Sequence, residues 1–169
     1  MNPQKTKNIP LSIILLLFYI SGALALVYQV VWSRMMMHVF GSTALAVGTV
    51  LSAFMCGMAI GAWLFGRVAD KSTNCFRLYA WLEIGIALAA YISHTLLSNF
   101  GPANIALHDL FGSSPAVYGI FRSVLAFVLV MVPTIFMGAT LPVLTRFLVR
   151  QKANIGIKLS TLYSVNTFG

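Results

Sequence analysis

Four apolar runs, residues 11–31, 44–65, 78–97 and 119–141, are separated by short polar connectors that hold nearly every charge in the chain. A bilayer's hydrocarbon slab is about 30 Å thick and a helix rises about 1.5 Å per residue, so roughly 20 apolar residues make one crossing. Each run meets that length. None alternates polar and apolar residues with a period of two, which argues against a β-barrel. With 59% of its residues apolar and 8% charged, the chain has too little polar surface to clothe a water-soluble globule. The expected fold is all-α: a polytopic transmembrane helical bundle with four complete spans and the start of a fifth at 159–169, preceded by a short polar tail at 1–10.

The basic residues set the expected orientation. Lys5, Lys7, Arg67, Lys71, Arg77, Arg146, Arg150, Lys152 and Lys158 fall on one side of such a bundle, and only Arg34 and Arg122 on the other. By the positive-inside rule the amino terminus is cytoplasmic, which fits a multi-pass plasma membrane protein, in bacteria the inner membrane. The net charge of +8 is then explained by topology and attraction to anionic lipid. No basic patch with interleaved aromatics lies outside the spans, so nucleic acid is not an expected partner. Lys5 and Lys7 followed by an apolar run and Ala23-Leu24-Ala25 have the form of a signal peptide. The run continues through Val31, however, longer than such a peptide needs, and is read as an uncleaved span.

Within the spans, small residues at Thr49, Ala53, Gly57 and Gly61 recur every fourth position and make a face on which another helix can pack backbone to backbone. The connector 66–77 is short, which predicts that spans two and three are antiparallel neighbours. Residues 32–43 read as a compact outer loop holding Arg34, His38 and Gly41. Residues 98–118 read as a larger one containing an amphipathic piece at 103–111. Pro133 inside the fourth span and Pro142 at its close each remove a backbone donor, so that helix is expected to kink or break, with Thr134 and Thr140 placed to serve the freed carbonyls. The apolar stretch 159–169 is half the length of a crossing. The expectation is a fragment, or a bundle that further transmembrane helices of the parent or a partner chain complete.

Several residues carry chemistry in this setting. Glu83 lies roughly 7 to 8 Å into the third span from Leu78, where an acid must be paired, hydrogen-bonded or wet. Arg67, Arg77 and Arg146 are its possible ionic partners, and a cationic amine substrate is the functional alternative. Gln29 is a polar residue within span one, suited to bonding another helix. Arg34 and Arg122 stand at the outer span ends, where long side chains snorkel. A helix broken at Pro133 would expose carbonyls that suit cations, which brings Thr134 and Thr140 into the candidate binding set. His38, His94, His108 and Asp109 are scattered over separate outer segments, and no metal site is expected from them. Cys56 and Cys75 have neither metal-ligand spacing nor a disulfide framework. No catalytic constellation is present: there is no nucleophile arrangement and no glycine-rich nucleotide turn.

A family resemblance rests on linked motifs in order along almost the whole chain. They are Ser21-Gly22, Leu26-Val27-Tyr28-Gln29-Val30-Val31-Trp32-Ser33-Arg34, Phe40-Gly41-Ser42-Thr43, Thr49-Val50-Leu51-Ser52-Ala53-Phe54-Met55 with Gly57, Leu78-Tyr79-Ala80-Trp81-Leu82-Glu83-Ile84-Gly85, Pro133-Thr134-Ile135-Phe136-Met137-Gly138-Ala139-Thr140-Leu141-Pro142, and Leu162-Tyr163-Ser164-Val165-Asn166-Thr167-Phe168-Gly169. Together they resemble the membrane domain of fused major-facilitator-like spermidine synthases. The resemblance implies a membrane half that anchors, or supplies a polyamine or other small amine to, a cytoplasmic Rossmann-like aminopropyltransferase domain. Decarboxylated S-adenosylmethionine is implied only for that absent soluble domain, and no cofactor is expected in this chain. Gly66-Arg67-Val68-Ala69-Asp70-Lys71 also looks like the loop between the second and third helices of major facilitators, but Ser72-Thr73-Asn74 departs from that pattern. The alternatives are part of a secondary transporter for a small organic cation, or a noncatalytic membrane scaffold.

Overall fold

The computed structural model describes residues 10–111, 114–150 and 160–164. The lysines of the tail and of 151–159, and most of the expected fifth span, lie outside the described residues. The described chain is entirely helical: α1 is Leu11–Phe40, α2 Thr43–Lys71, α3 Cys75–Ser98, α4 Phe100–Phe111 and α5 Pro115–Arg150. A short helical stretch covers 160–164. Four of these helices, α1, α2, α3 and α5, are long and apolar enough to cross a bilayer.

The helices outrun the apolar runs that predict them. α1 continues through 32–40, which the sequence reads as a loop, because Met35, Met36 and Met37 are good helix formers and nothing before Gly41 stops the turn. Gly41 ends it in the left-handed conformation, φ 65°, with its N–H donating to the Met37 carbonyl at 2.8 Å. Glycine adopts this cap without the steric penalty a Cβ would bring. The connector before α3 shrinks to residues 72–74, and Asn74 caps α3 by accepting from the Arg77 N–H at 3.1 Å. Only Asn99 separates α3 from α4, and α4 starts three residues earlier than its amphipathic pattern indicates. Pro115 opens α5 at the position where a missing N–H costs nothing.

The expected break at Pro133 and Pro142 does not occur: α5 runs through both prolines as one helix of 36 residues, about 54 Å long. A proline withdraws one donor and leaves the rest of the ladder intact, so helical structure continues past both. Pro133 is fully buried, and the Thr134 hydroxyl lies 2.8 Å from the Met131 carbonyl, 3.3 Å from that of Val130 and 3.2 Å from that of Ala53 on α2. Thr140 donates to the Met137 carbonyl at 2.7 Å.

α5 is the central element. It packs along α2 and α3, with α1 laid against α2 and α4 across one end of α5. Although a three-residue connector joins α2 and α3, they have little contact with each other because α5 comes between them. The small-residue face of α2 is what draws α5 in. A Cβ on Gly57 would fall on Thr134 Oγ1, one on Gly61 would fall on the Ile135 carbonyl, and one on Gly138 of α5 would strike the Met58 backbone. Such backbone-to-backbone contact is the kind that drives association between apolar helices.

The buried side chains form two clusters, one toward each end of the bundle. One gathers Ile14, Phe18, Tyr79, Leu82, Val143, Leu144 and Leu148, and Leu162 of the 160–164 stretch packs into it. The other gathers Trp32, Met36, Val50, Phe54, Ala90, Phe100 and Val130, with Trp32 stacked on Tyr28 at 5.4 Å between ring centroids. The outer faces are strongly apolar: Leu16, Leu26, Leu45, Met55, Trp63, Trp81, Leu88 and Tyr91 are all exposed.

Candidate functional site

Glu83 sits eight residues into α3, about 12 Å along its axis from Cys75. Its neighbours on the same face, Tyr79 one turn earlier and Leu82, are buried at 4% and 3% exposure. The carboxylate is held by a hydroxyl. Ser21 of α1 donates to Glu83 Oε1 at 2.9 Å, and the Tyr79 hydroxyl is close enough to both to interact with them electrostatically. Helical spacing puts residues four apart on one side, so Tyr79 and Glu83 approach Ser21 together. The result is an acid–hydroxyl triad that ties α3 to α1.

None of the three arginines suited to neutralise Glu83 does so. Arg146 Nε stands 3.3 Å from Asp70 Oδ1, joining the ends of α5 and α2, although that N–H is not aligned as a hydrogen bond. Arg67 places its guanidinium 4.1 Å above the Trp63 ring, and Arg77 is exposed near the start of α3. Among the described residues no lysine or arginine is within ion-pairing distance of Glu83.

Ser21 also lines a cavity of about 370 Å³ between α1, α2 and α5. It lies between the two packing clusters, with Phe18 from one and Phe54 from the other in its wall. Its polar lining comes from Ser21, Gln29 and Thr140, and most of the remainder is apolar, including Ala25, Leu26, Met58 and Leu141. Close packing of α2 on α5 shapes the floor: Gly138 lines the cavity, and a Cβ there would strike the Met58 backbone. Glu83 does not line the cavity itself. It reaches the space through the Ser21 hydroxyl.

Of the residues singled out by sequence, the structure places Gln29 and Thr140 on the cavity wall, ties Glu83 to that wall through Ser21, and leaves the others apart. Thr134 is buried in the α2–α5 contact, where it bonds backbone. Arg34 is exposed beside Gln29 and Ser33, along a separate groove reaching Thr43. Arg122 lies across the rings of Phe40 and Tyr118, its guanidinium carbon 5.6 and 5.2 Å from their centroids. Ala53, Gly57 and Gly61 face α5. Among the described residues, His38, His94, His108 and Asp109 form no metal-binding group. Reasoning from sequence missed two members of the triad. Tyr79 was findable, since it precedes Glu83 by one helical turn, whereas Ser21 is brought in only by the tertiary packing of α1 against α3. Compared with protein-family models, with curated proteins and with solved structures, the chain finds no significant match in any of the three.

Proposed function

We propose that this chain is a membrane domain of four spans with its amino terminus on the cytoplasmic side, and that it binds a small organic cation in the cavity beside Ser21, Gln29 and Thr140. In this reading it belongs to a spermidine-synthase-like protein and delivers an amine to a cytoplasmic aminopropyltransferase-type domain. The apolar outer faces support the bilayer setting, because contiguous exposed side chains of this kind would aggregate in water. The distribution of lysines and arginines supports the orientation. The motifs quoted above support the enzyme partner.

One observation carries the binding function: a carboxylate within an apolar bundle that accepts a hydrogen bond from the Ser21 hydroxyl and, among the described residues, is neutralised by no basic side chain. An acid at the centre of a span costs about 2.5 to 3.5 kcal/mol on insertion scales, an upper bound for Glu83, which stands about a third of the way along α3. A cation recovers that cost. An ammonium bonded to Ser21 Oγ at about 2.9 Å lies up to roughly 6 Å from the Glu83 oxygens, which at an effective dielectric of 20 is worth about 3 kcal/mol. A second reading, part of a secondary transporter for such a cation, is favoured by the cavity's place between the two packing clusters, since transporter sites lie near the bilayer midplane.

The test is equilibrium binding of a panel of alkylammonium ions to the purified chain in lipid nanodiscs. At least one is expected to bind, and Glu83→Gln, which keeps the shape and the Ser21 contact, should weaken it by tenfold or more. Absence of binding across the panel, or equal binding by the variant, would refute the proposal.

A further inference from the structure

The charge and the spacing of polar groups in the cavity define its ligand more narrowly. The chain holds three acidic residues, Asp70, Glu83 and Asp109. Asp70 is at the end of α2 beside Arg146, and Asp109 is exposed on α4. Among the described residues Glu83 is thus the one acid bonded to a residue of the cavity wall, Ser21, which lies toward one end of it. At the other end is Gln29, eight residues further along α1 and about 12 Å away along the axis. Between them the wall is Ala25, Leu26, Phe54 and Met58.

The two ends ask for different chemistry. Ser21 donates its proton to Glu83, so its remaining lone pairs accept, and the carboxylate behind it favours a positive donor. Gln29 carries a carbonyl oxygen and an amide N–H₂, and its side chain makes no hydrogen bond among the described residues. It satisfies a hydroxyl or an amide, which both donate and accept, better than it does an ammonium, which only donates. A second ammonium there would be a desolvated charge without a counter-charge. We propose that the ligand is a monocation: an ammonium at the Ser21 end, an alkyl chain along the apolar wall, and a neutral hydrogen-bonding group at Gln29. This deepens the function proposed above and rests on it. It also sets the site apart from one built for unmodified polyamines, which carry a charge at each end.

The test compares 6-aminohexan-1-ol, hexylamine, 1,6-diaminohexane and spermidine as ligands of the full chain in nanodiscs, by calorimetry. The amino alcohol should bind about tenfold or more tightly than the diamine or spermidine, and more tightly than hexylamine. Gln29→Leu should abolish the advantage of the amino alcohol over hexylamine while leaving hexylamine bound. That readout does not depend on the Glu83→Gln variant folding. If the diamine or spermidine binds as tightly as the amino alcohol, with binding that needs Glu83, the monocation inference fails and the cation site stands. If Gln29→Leu leaves the amino alcohol's advantage intact, the assignment of the neutral end fails. If none of the four ligands binds, the cation site fails with it.

Discussion

Alanine substitutions at three glycines of α2 test the helix contact on which the cavity's floor depends. A Cβ at Gly61 would land on the Ile135 carbonyl and within 3.1 Å of the Ala139 nitrogen, so backbone blocks it and α2 must move away from α5. Forcing extra volume into a close-packed contact costs typically 1 to 3 kcal/mol, and the rigid obstacle places Gly61→Ala at the upper end, about 2 to 3 kcal/mol. Gly57→Ala meets the Thr134 hydroxyl and its Cβ at 2.8 Å. The Thr134 hydroxyl can turn aside, losing its 3.2 Å contact with the Ala53 carbonyl, an interhelical hydrogen bond worth about 0.6 kcal/mol in a membrane protein, while its Cβ and the Met131 carbonyl, 3.0 Å from the added Cβ, stay in place. The expected loss for Gly57→Ala is about 1 to 2.5 kcal/mol. Gly48, on the same helix, has nothing within 4 Å of its would-be Cβ, so Gly48→Ala should be neutral or stabilising by up to about 1 kcal/mol through helix propensity. Unfolding in mixed micelles by SDS titration, followed by tryptophan fluorescence, measures all three. Thr134→Ala should recover part of the Gly57→Ala loss by removing the obstructing hydroxyl. Equal midpoints for the Gly48 and Gly61 variants would refute the reasoning, as would a Thr134→Ala change that deepens the Gly57 defect.

Two further outcomes are expected. Arg146→Ala should change stability by less than about 1 kcal/mol in the same titration, because its partner Asp70 is 67% exposed and screened by solvent. In sealed cells, an impermeant amine-reactive label applied outside should leave Lys71 unmodified and reach it only after permeabilisation, whereas a cysteine placed at His94 should react from outside with an impermeant maleimide.

The four long helices are legible because apolar length alone determines them. Their ends are not, since helical hydrogen bonding continues wherever good helix formers allow it. Met35 to Met37 carry α1 beyond the apolar run, and the readable stop signal was Gly41. The prolines of α5 mislead on one point for a related reason: neither ends the helix. Each predicts a local defect, and the sequence does not show that Pro133 is buried between neighbours and flanked by a threonine already bonded to carbonyls. Chain order likewise misleads about neighbours: a short connector argues for α2 beside α3, but the glycine face of α2 fits α5 more closely. Glu83 stands out in any reading as an acid within an apolar run. Its hydroxyl partner on α1 does not, because a serine 62 positions away carries no local signal.

Infrared difference spectroscopy tests most directly whether Glu83 is the counter-charge of a bound amine. Spectra of the chain in nanodiscs, recorded with and without 6-aminohexan-1-ol, should contain a carboxyl or carboxylate band that shifts on addition of the amine and is missing from Glu83→Gln. An amine that binds while leaving that band unmoved, or a band that persists in the variant, would contradict a cation site centred on this acid.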